Sequence, residues 1–178
     1  MLKEKSQNVV TSKKVISSKK RSSAGKTKLS KSVKGKVPSS STVIFPGFKR
    51  KAESRLTAME KMERLKVGIS KNELEKLKIR AKLDYDKLSK LLSVTRVTLI
   101  NKQGSEKFNI VLSERIIGLA DIYSYGYEVF ENEEKFNQWM FKENQALGGK
   151  TPYEVCNNQF GREEVKNIIG RIDYGVYS

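Results

Sequence analysis

Residues 109–130, NIVLSERIIGLADIYSYGYEVF, decide the fold class. Ile116, Leu119, Ala120, Tyr123, Tyr127 and Phe130 fall at offsets of 0, 3, 4, 7, 11 and 14, the stripe of a helix that buries one face. The spacing predicts a helix that starts between Asn109 and Ser113 and runs to about Phe130. Downstream, Asn132 is a cap for a helix carrying Phe136, Trp139 and Met140, with Trp139 expected in the core. Leu147-Gly148-Gly149 breaks that pattern as a turn device. Thr151-Pro152 reads as a start, a cap hydroxyl followed by a proline where no N–H is needed. The helix it opens is short, carries Cys156 as a small buried apolar residue, and ends near Asn157-Asn158. A last helix is expected after Gly161, with Val165, Ile168 and Ile169 on its apolar face.

Upstream, Thr95 caps a helix from Arg96 to about Lys102 that Gly104 closes. Asp84 caps one over 85–92 carrying Leu88, Leu91 and Leu92. Ser70-Lys71-Asn72-Glu73 is a capping box, in which Ser70 accepts from the third residue's N–H while Glu73 reaches back. Leu74, Leu77 and Ala81 lie on one face of that helix, which ends near Leu83. Met59, Met62 and Leu65 recur at helical spacing until Gly68. No segment alternates as a strand does, so the predicted fold is all-α.

The chain has 178 residues, no histidine and one cysteine, and its net charge of +16 is unevenly placed. Residues 1–55 carry 16 Lys+Arg against 2 acids, residues 56–112 carry 13 against 7, and residues 113–178 carry 7 against 11. Without histidine, Ser-His-Asp and Cys-His nucleophile pairs are impossible, and a single cysteine excludes an internal disulfide and a Cys-x-x-Cys site. No catalytic residue, metal site or cofactor is expected, and the chain reads as a non-enzyme. No apolar run reaches the ~18 residues of a membrane span, which points to a cytoplasmic protein without membrane contact. Residues 1–55 are Lys/Ser-rich and too poor in apolar residues to offset chain entropy, so they read as a disordered tail. Such a tail suits phosphate contacts as a DNA arm, although a solvated extension would look the same. Val43-Ile44-Phe45-Pro46-Gly47-Phe48 interrupts it as a docking patch or a last stretch of linker.

Residues 87–102, KLSKLLSVTRVTLINK, have helix-turn-helix spacing. Ser89 is small where two steeply crossing helices approach, Ser93 sits at the turn, and Val94 and Leu99 tie the second helix to the core. Thr95, Arg96, Thr98, Asn101 and Lys102 are then the candidate DNA-binding residues, because Arg pairs with guanine, Asn with adenine and Lys with phosphate. Spacing alone leaves open an ordinary helical hairpin with a solvated face.

Ala146-Leu147-Gly148-Gly149-Lys150-Thr151-Pro152-Tyr153-Glu154-Val155 resembles the "ALGG-basic-TP-x-E" stretch of the Xre/MbcA/ParS antitoxin family. The ending Gly170-Arg171-Ile172-Asp173-Tyr174-Gly175-Val176-Tyr177 is similar to that family's C-terminal segment. Glu163-Glu164-Val165, Ile168-Ile169-Gly170, Ala120 through Phe130, Glu134 and Trp139 fit the same pattern, so the resemblance covers about residues 56–178. One departure is Lys142-Glu143-Asn144-Gln145, where the family commonly has a proline. The resemblance implies an Xre-like DNA-binding domain over 56–112 and a toxin-binding domain over 113–178, and it does not account for the basic tail over 1–55. It implies an antitoxin of a type II pair that binds its own promoter DNA as an autorepressor. Its protein partner is then a RES-domain toxin that consumes NAD, with the antitoxin's C-terminal end covering the toxin's NAD pocket.

The toxin-binding residues on this reading are Gly170, Arg171, Ile172, Asp173, Tyr174, Gly175, Val176, Tyr177 and Ser178. Arg171 suits a fork-geometry pair with an acid, Tyr174 and Tyr177 are rigid amphipathic anchors, and Gly175 permits close backbone approach. A fold-back of the terminal tyrosines onto the bundle is the alternative for that segment. The alternative for the whole chain is a stand-alone helix-turn-helix regulator whose C-terminal part only dimerises. A homo-oligomer is expected in either case, because such repressors pair to match two-fold operators.

Overall fold

The computed structural model describes residues 42–45 and 51–175, and all regular elements among them are helical. The helices are α1 (Ala58–Val67), α2 (Lys71–Arg80), α3 (Tyr85–Leu91), α4 (Arg96–Ile100), α5 (Ile110–Phe130), α6 (Glu133–Trp139), α7 (Pro152–Val155) and α8 (Gln159–Asp173). Glu53–Arg55 and Gln145–Leu147 form short 3-10 turns. The fold is all-α. Each helix starts on a side chain that accepts a first-turn N–H: Thr57, Ser70, Asp84, Thr95, Asn109, Asn132, Thr151 and Asn158. Loss of such a cap costs about 1 kcal/mol, so the sequence places its helix starts locally.

Helix α5 is the spine. Its expected stripe is buried at Ile116, Leu119, Ala120, Tyr123 and Tyr127, and Leu112, Ile117, Ile122, Ser113 and Ser124 are buried as well. A helix covered on so many sides needs partners all round. It has them in α1, the Glu53–Arg55 turn, α6 and α8. One buried cluster runs from Ile44 through Leu74, Leu88 and Leu99 to Ile169. Segments 56–112 and 113–178 therefore share a core.

At one end of the spine, Phe136 of α6 meets Tyr123, Tyr127, Phe130 and Trp139, with ring centroids 5.3–5.7 Å apart. The three Tyr and Phe rings meet Phe136 edge-on and Trp139 stacks on it, and aromatic pairs of these kinds add about 0.5–1.5 kcal/mol each beyond area burial. The Phe136 ring fits because Gly126 has no side chain, and a β-carbon there would run into it. Trp139 packs against this cluster while remaining half-buried. Cys156 is fully buried, and loss of solvation pushes its thiol up to about 12.

Four expectations are corrected. The folded part begins before residue 56: Ile44, Phe45 and Ala52 are buried, as is Glu53. The Glu53 carboxylate accepts the backbone N–H groups of Ile44 (2.7 Å) and Phe45 (2.6 Å). Ser124 Oγ donates to the Thr42 carbonyl (2.7 Å), and Arg80 donates to that of Val43. Residues 1–41 and 46–50 of the expected tail lie outside the described residues.

Second, Met59 and Met62 do not face the core. They are 66% and 53% exposed, while Arg64 is buried. Helix α1 is held by ions: Lys61 meets Asp121 (3.0 Å), and Arg64 pairs with Glu73 and donates to the Gly68 carbonyl (2.9 Å). Third, Gly161 is not a break. It lies inside the first turn of α8, where a β-carbon would strike the Val155 carbonyl, and Asn158 is the cap. Fourth, α2 and α4 end earlier than expected, at Arg80 and Ile100, and Lys82 turns the chain after α2 at φ +53°.

Gly126→Ala tests the spine, because two effects oppose. Helix propensity alone favours alanine by about 1 kcal/mol, whereas overpacking against Phe136 costs about 1–3 kcal/mol or more. Chemical denaturation should show net destabilisation; a stabilised variant would mean that Phe136 does not occupy that space.

Candidate functional site

Two surfaces carry the candidate residues, at different places on the bundle. The first is the α3–α4 pair. Ser93 makes its turn at φ +50°, a left-handed conformation that a non-glycine residue adopts at some cost. The turn is held from outside: Ser93 Oγ donates to the Asn157 carbonyl (2.9 Å), and Arg115 donates to the carbonyls of Leu92 (2.8 Å) and Ser93 (3.1 Å). Leu99 is fully buried and anchors α4. Thr95, Arg96, Thr98 and Asn101 are exposed and Lys102 is half-buried, so these candidates share the outer side of one short helix and its exit. Thr95 is partly occupied as the cap of α4, accepting the Thr98 N–H (3.2 Å). Arg96 reaches back to Asp86 of α3 (3.2 Å), an exposed pair of small worth that a ligand can displace.

Sequence reasoning missed two features of this surface. Val97 (61% exposed) and Ile100 (42%) also face outward on α4, giving it an apolar component. Lys71 of α2 is buried, and its ammonium donates to the carbonyl of Leu99 (2.8 Å), while it also binds Tyr85 of α3 and Glu75 (2.9 Å). One buried cation thus ties α2, α3 and α4 together and satisfies a carbonyl near the C-terminal end of α4, where positive charge is favoured.

The second surface lies along α5 and α8. Gly170, Arg171, Ile172 and Asp173 form the last turn of α8, Tyr174 caps it, and Gly175 follows at φ +69°. Val176, Tyr177 and Ser178 lie outside the described residues. Arg171 and Tyr174 are exposed, Tyr174 at 84%. Together with Ser54, Tyr125, Lys166, Asn167 and Gly170 they line an open groove of about 680 Å³. Gly170 is its floor, with the Tyr125 hydroxyl 3.5 Å from where a β-carbon would stand. Burial first, and then the charge of Asp173, raise the Tyr125 phenol above its usual value. Arg171 has a long, exposed pair with Glu164 (3.6 Å).

Lys166 also borders a neighbouring cavity of about 320 Å³, between Glu114, Gly118 and Asp121 of α5 and Gln159, Arg162 and Glu163 of α8. Asp121 is the junction of three helices. Its Oδ2 accepts from Lys61 of α1 and from Lys166 of α8 (2.7 Å). Tyr125 and Ser54 escaped sequence reasoning because nothing local marks them; they join the groove only through the packing of the Glu53–Arg55 turn on α5.

Residues 126–175 match the antitoxin Xre/MbcA/ParS C-terminal toxin-binding domain. An Antitoxin Xre of Photorhabdus laumondii is 32% identical over 76 residues, 42% of this chain and 51% of that protein. An Antitoxin Xre of Yersinia enterocolitica is 22% identical over 119 residues, 66% of this chain and 80% of that protein. The chain thus spans about half the length of the first relative and four fifths of the second. The family domain starts inside the spine at Gly126, takes in α6, α7 and α8, and ends at Gly175. Arg171 and Tyr174 are within it, whereas Tyr125 and Ser54 precede it. Among the described residues no helix is long and apolar enough to cross a membrane.

Lys71→Met checks the tie between α2 and α4. Methionine keeps most of the buried volume but leaves the Leu99 carbonyl without its donor, while Lys78 still serves Glu75 (2.7 Å) and the Tyr85 ring, an expected loss of about 1–3 kcal/mol in denaturant unfolding. A change below about 0.5 kcal/mol, the range of ordinary surface substitutions, would show that the cation holds nothing.

Proposed function

We propose that this chain is the antitoxin of a type II toxin–antitoxin pair. On this reading it neutralises a RES-domain, NAD-consuming toxin by covering the toxin's active site with residues 170–178, and it represses its own promoter through α4. The observation that carries the reading is the match of residues 126–175 to a toxin-binding domain, together with the exposure of Arg171 and Tyr174 at the end of that domain. The side chains suit the task. The Arg171 guanidinium is exposed, and its long pair with Glu164 leaves it available to a carboxylate of the toxin. Tyr174 offers a rigid ring at little cost in rotamer entropy. The excess of acids over bases in residues 113–178 suits a pocket built for the pyrophosphate of NAD.

The DNA-binding half of the proposal rests on α4. Its exposed Arg96, Thr98 and Asn101, the small Ser89 of α3 and the left-handed Ser93 between them are compatible with a helix entering a major groove. The surplus of bases over acids in residues 56–112 favours a polyanion on that side. The protein acts in the cytoplasm as a homo-oligomer in complex with toxin.

Two substitution pairs separate the activities. In co-expression with the RES-domain toxin, Arg171→Glu with Tyr174→Ala should raise the antitoxin needed for half-neutralisation at least about tenfold, equivalent to 1.4 kcal/mol, and leave promoter binding intact. Unchanged neutralisation would sink the proposed occlusion. In a gel-shift assay with the promoter, Arg96→Ala with Asn101→Ala should lose about 1–3 kcal/mol of binding per base contact while toxin binding persists. Normal operator binding by that variant would remove α4 as the reading helix.

A further inference from the structure

Helix α4 turns an aliphatic residue farther from the core than its cation. Successive helical residues are about 100° apart, and Leu99 is the buried member of α4. Val97 and Asn101 therefore lie about 160° from Leu99, Thr98 and Ile100 about 100°, and Arg96 only about 60°. Asn101 keeps helical dihedrals as the cap, φ −65° and ψ −22°, so the count extends to it. The polar groups on the flanks are engaged: the hydroxyl oxygens of Thr95 and Thr98 are 2.8 Å apart, and Arg96 reaches back to Asp86 (3.2 Å). What α4 presents outermost is the amide of Asn101 beside Val97, 61% exposed, with Ile100, 42% exposed, next to them.

We infer that Val97 and Ile100 read thymine, by packing on the 5-methyl group that this base alone carries into the major groove. The inference rests on the proposed reading of α4 as the DNA-binding helix, and it names what that helix selects. Asn101 stands one turn beyond Val97, and an asparagine amide pairs with the major-groove edge of adenine, so the two residues together select A·T pairs. Three features favour a base edge over a protein as the occupant. The patch is small: α4 has five residues, whereas a specific protein interface takes about 800 Å² from each side. Its neighbours Thr98 and Asn101 are hydrogen-bonding groups, and residues 56–112 carry 13 Lys+Arg against 7 acids. The helix is also held at both ends, by the bonds of Ser93 and Arg115 at the turn before it and by the Lys71 ammonium on the Leu99 carbonyl (2.8 Å). Reading a methyl group needs that rigidity, because one such contact changes binding only about fourfold.

Uracil in place of thymine tests the inference, since it removes the methyl group and keeps the pairing edge. The DNA is the promoter of the chain's own gene, amplified with either thymine or uracil nucleotides. Binding of the full chain is measured by gel shift against unrelated competitor DNA. The unsubstituted protein should bind the uracil promoter at least about fourfold more weakly. Val97→Ala with Ile100→Ala, both exposed and outside the core, should bind the thymine promoter more weakly and lose the preference for thymine. Any change in DNA stiffness acts on both proteins alike and cancels from that comparison. Equal binding of the two DNAs by the unsubstituted protein would overturn the inference and leave α4 as the reading helix, and so would a variant that keeps the full thymine preference. A variant that sediments as a smaller assembly than the unsubstituted protein would assign the patch to a second copy of the chain and overturn it too. If the unsubstituted protein does not prefer the thymine promoter to competitor DNA, the DNA-binding reading itself falls, and this inference with it.

Discussion

Burial of α5 on nearly every side is the constraint from which the remaining structure follows. Tyr123, Ile116 and Ala120 have no solvent-facing alternative, so α1, the Glu53–Arg55 turn, α6 and α8 must all pack on one 21-residue helix. Two glycines let backbones and rings come close enough: Gly126 admits Phe136, and Gly161 admits the Val155 carbonyl. Because α5 lies at the centre, the segment proposed to bind DNA and the segment matched to a toxin-binding domain are parts of one core. Arg115 of α5 holds the turn before α4, and Tyr125 of the same helix forms a wall of the α8 groove. A single rigid element therefore fixes the positions of two surfaces with different chemistry.

What was legible in the sequence was local. The caps at Ser70, Asp84, Thr95, Asn132 and Thr151 stand where a hydroxyl, amide or carboxylate precedes an apolar period, and each does in the structure what its spacing implies. The stripe of α5 was visible for the same reason. Contacts across long separations were not. Thr42–Phe45 docks through Glu53, Arg80 and Ser124, and no pattern within residues 42–45 announces those partners. Met59, Met62 and Leu65 have helical spacing and α1 is there, yet of the three only Leu65 packs on the core, and Lys61 and Arg64 hold the helix beside it. Gly161 was ambiguous in kind, since glycine marks both breaks and close approaches, and only the position of Val155 decides between them. At the candidate sites the outward residues of α4 and the end of α8 were readable from residue type, whereas Lys71, Tyr125 and Ser54 become relevant only when distant segments meet.

The charge of the chain takes on a sharper meaning in this frame. Most of the +16 lies in residues 1–55. Residues 56–112 keep a modest surplus of bases, part of which is spent internally: Lys71, Arg64 and Arg80 are engaged with Leu99, Glu73 and Glu133. Residues 113–178 have more acids than bases, and the exposed Arg171 and Tyr174 stand together at the C-terminal end of α8. Net charge alone speaks for a polyanion. The arrangement of side chains gives one bundle two separate exposed surfaces of different character.

Hydrogen-exchange mass spectrometry of the chain, free and mixed with the proposed RES-domain toxin, tests most directly whether the α8 surface is the one a toxin engages. The account predicts toxin-dependent protection over 159–178 and around Tyr125, with residues 95–102 exchanging as they do in the free chain. Protection centred on 95–102, with 159–178 unchanged, would contradict it.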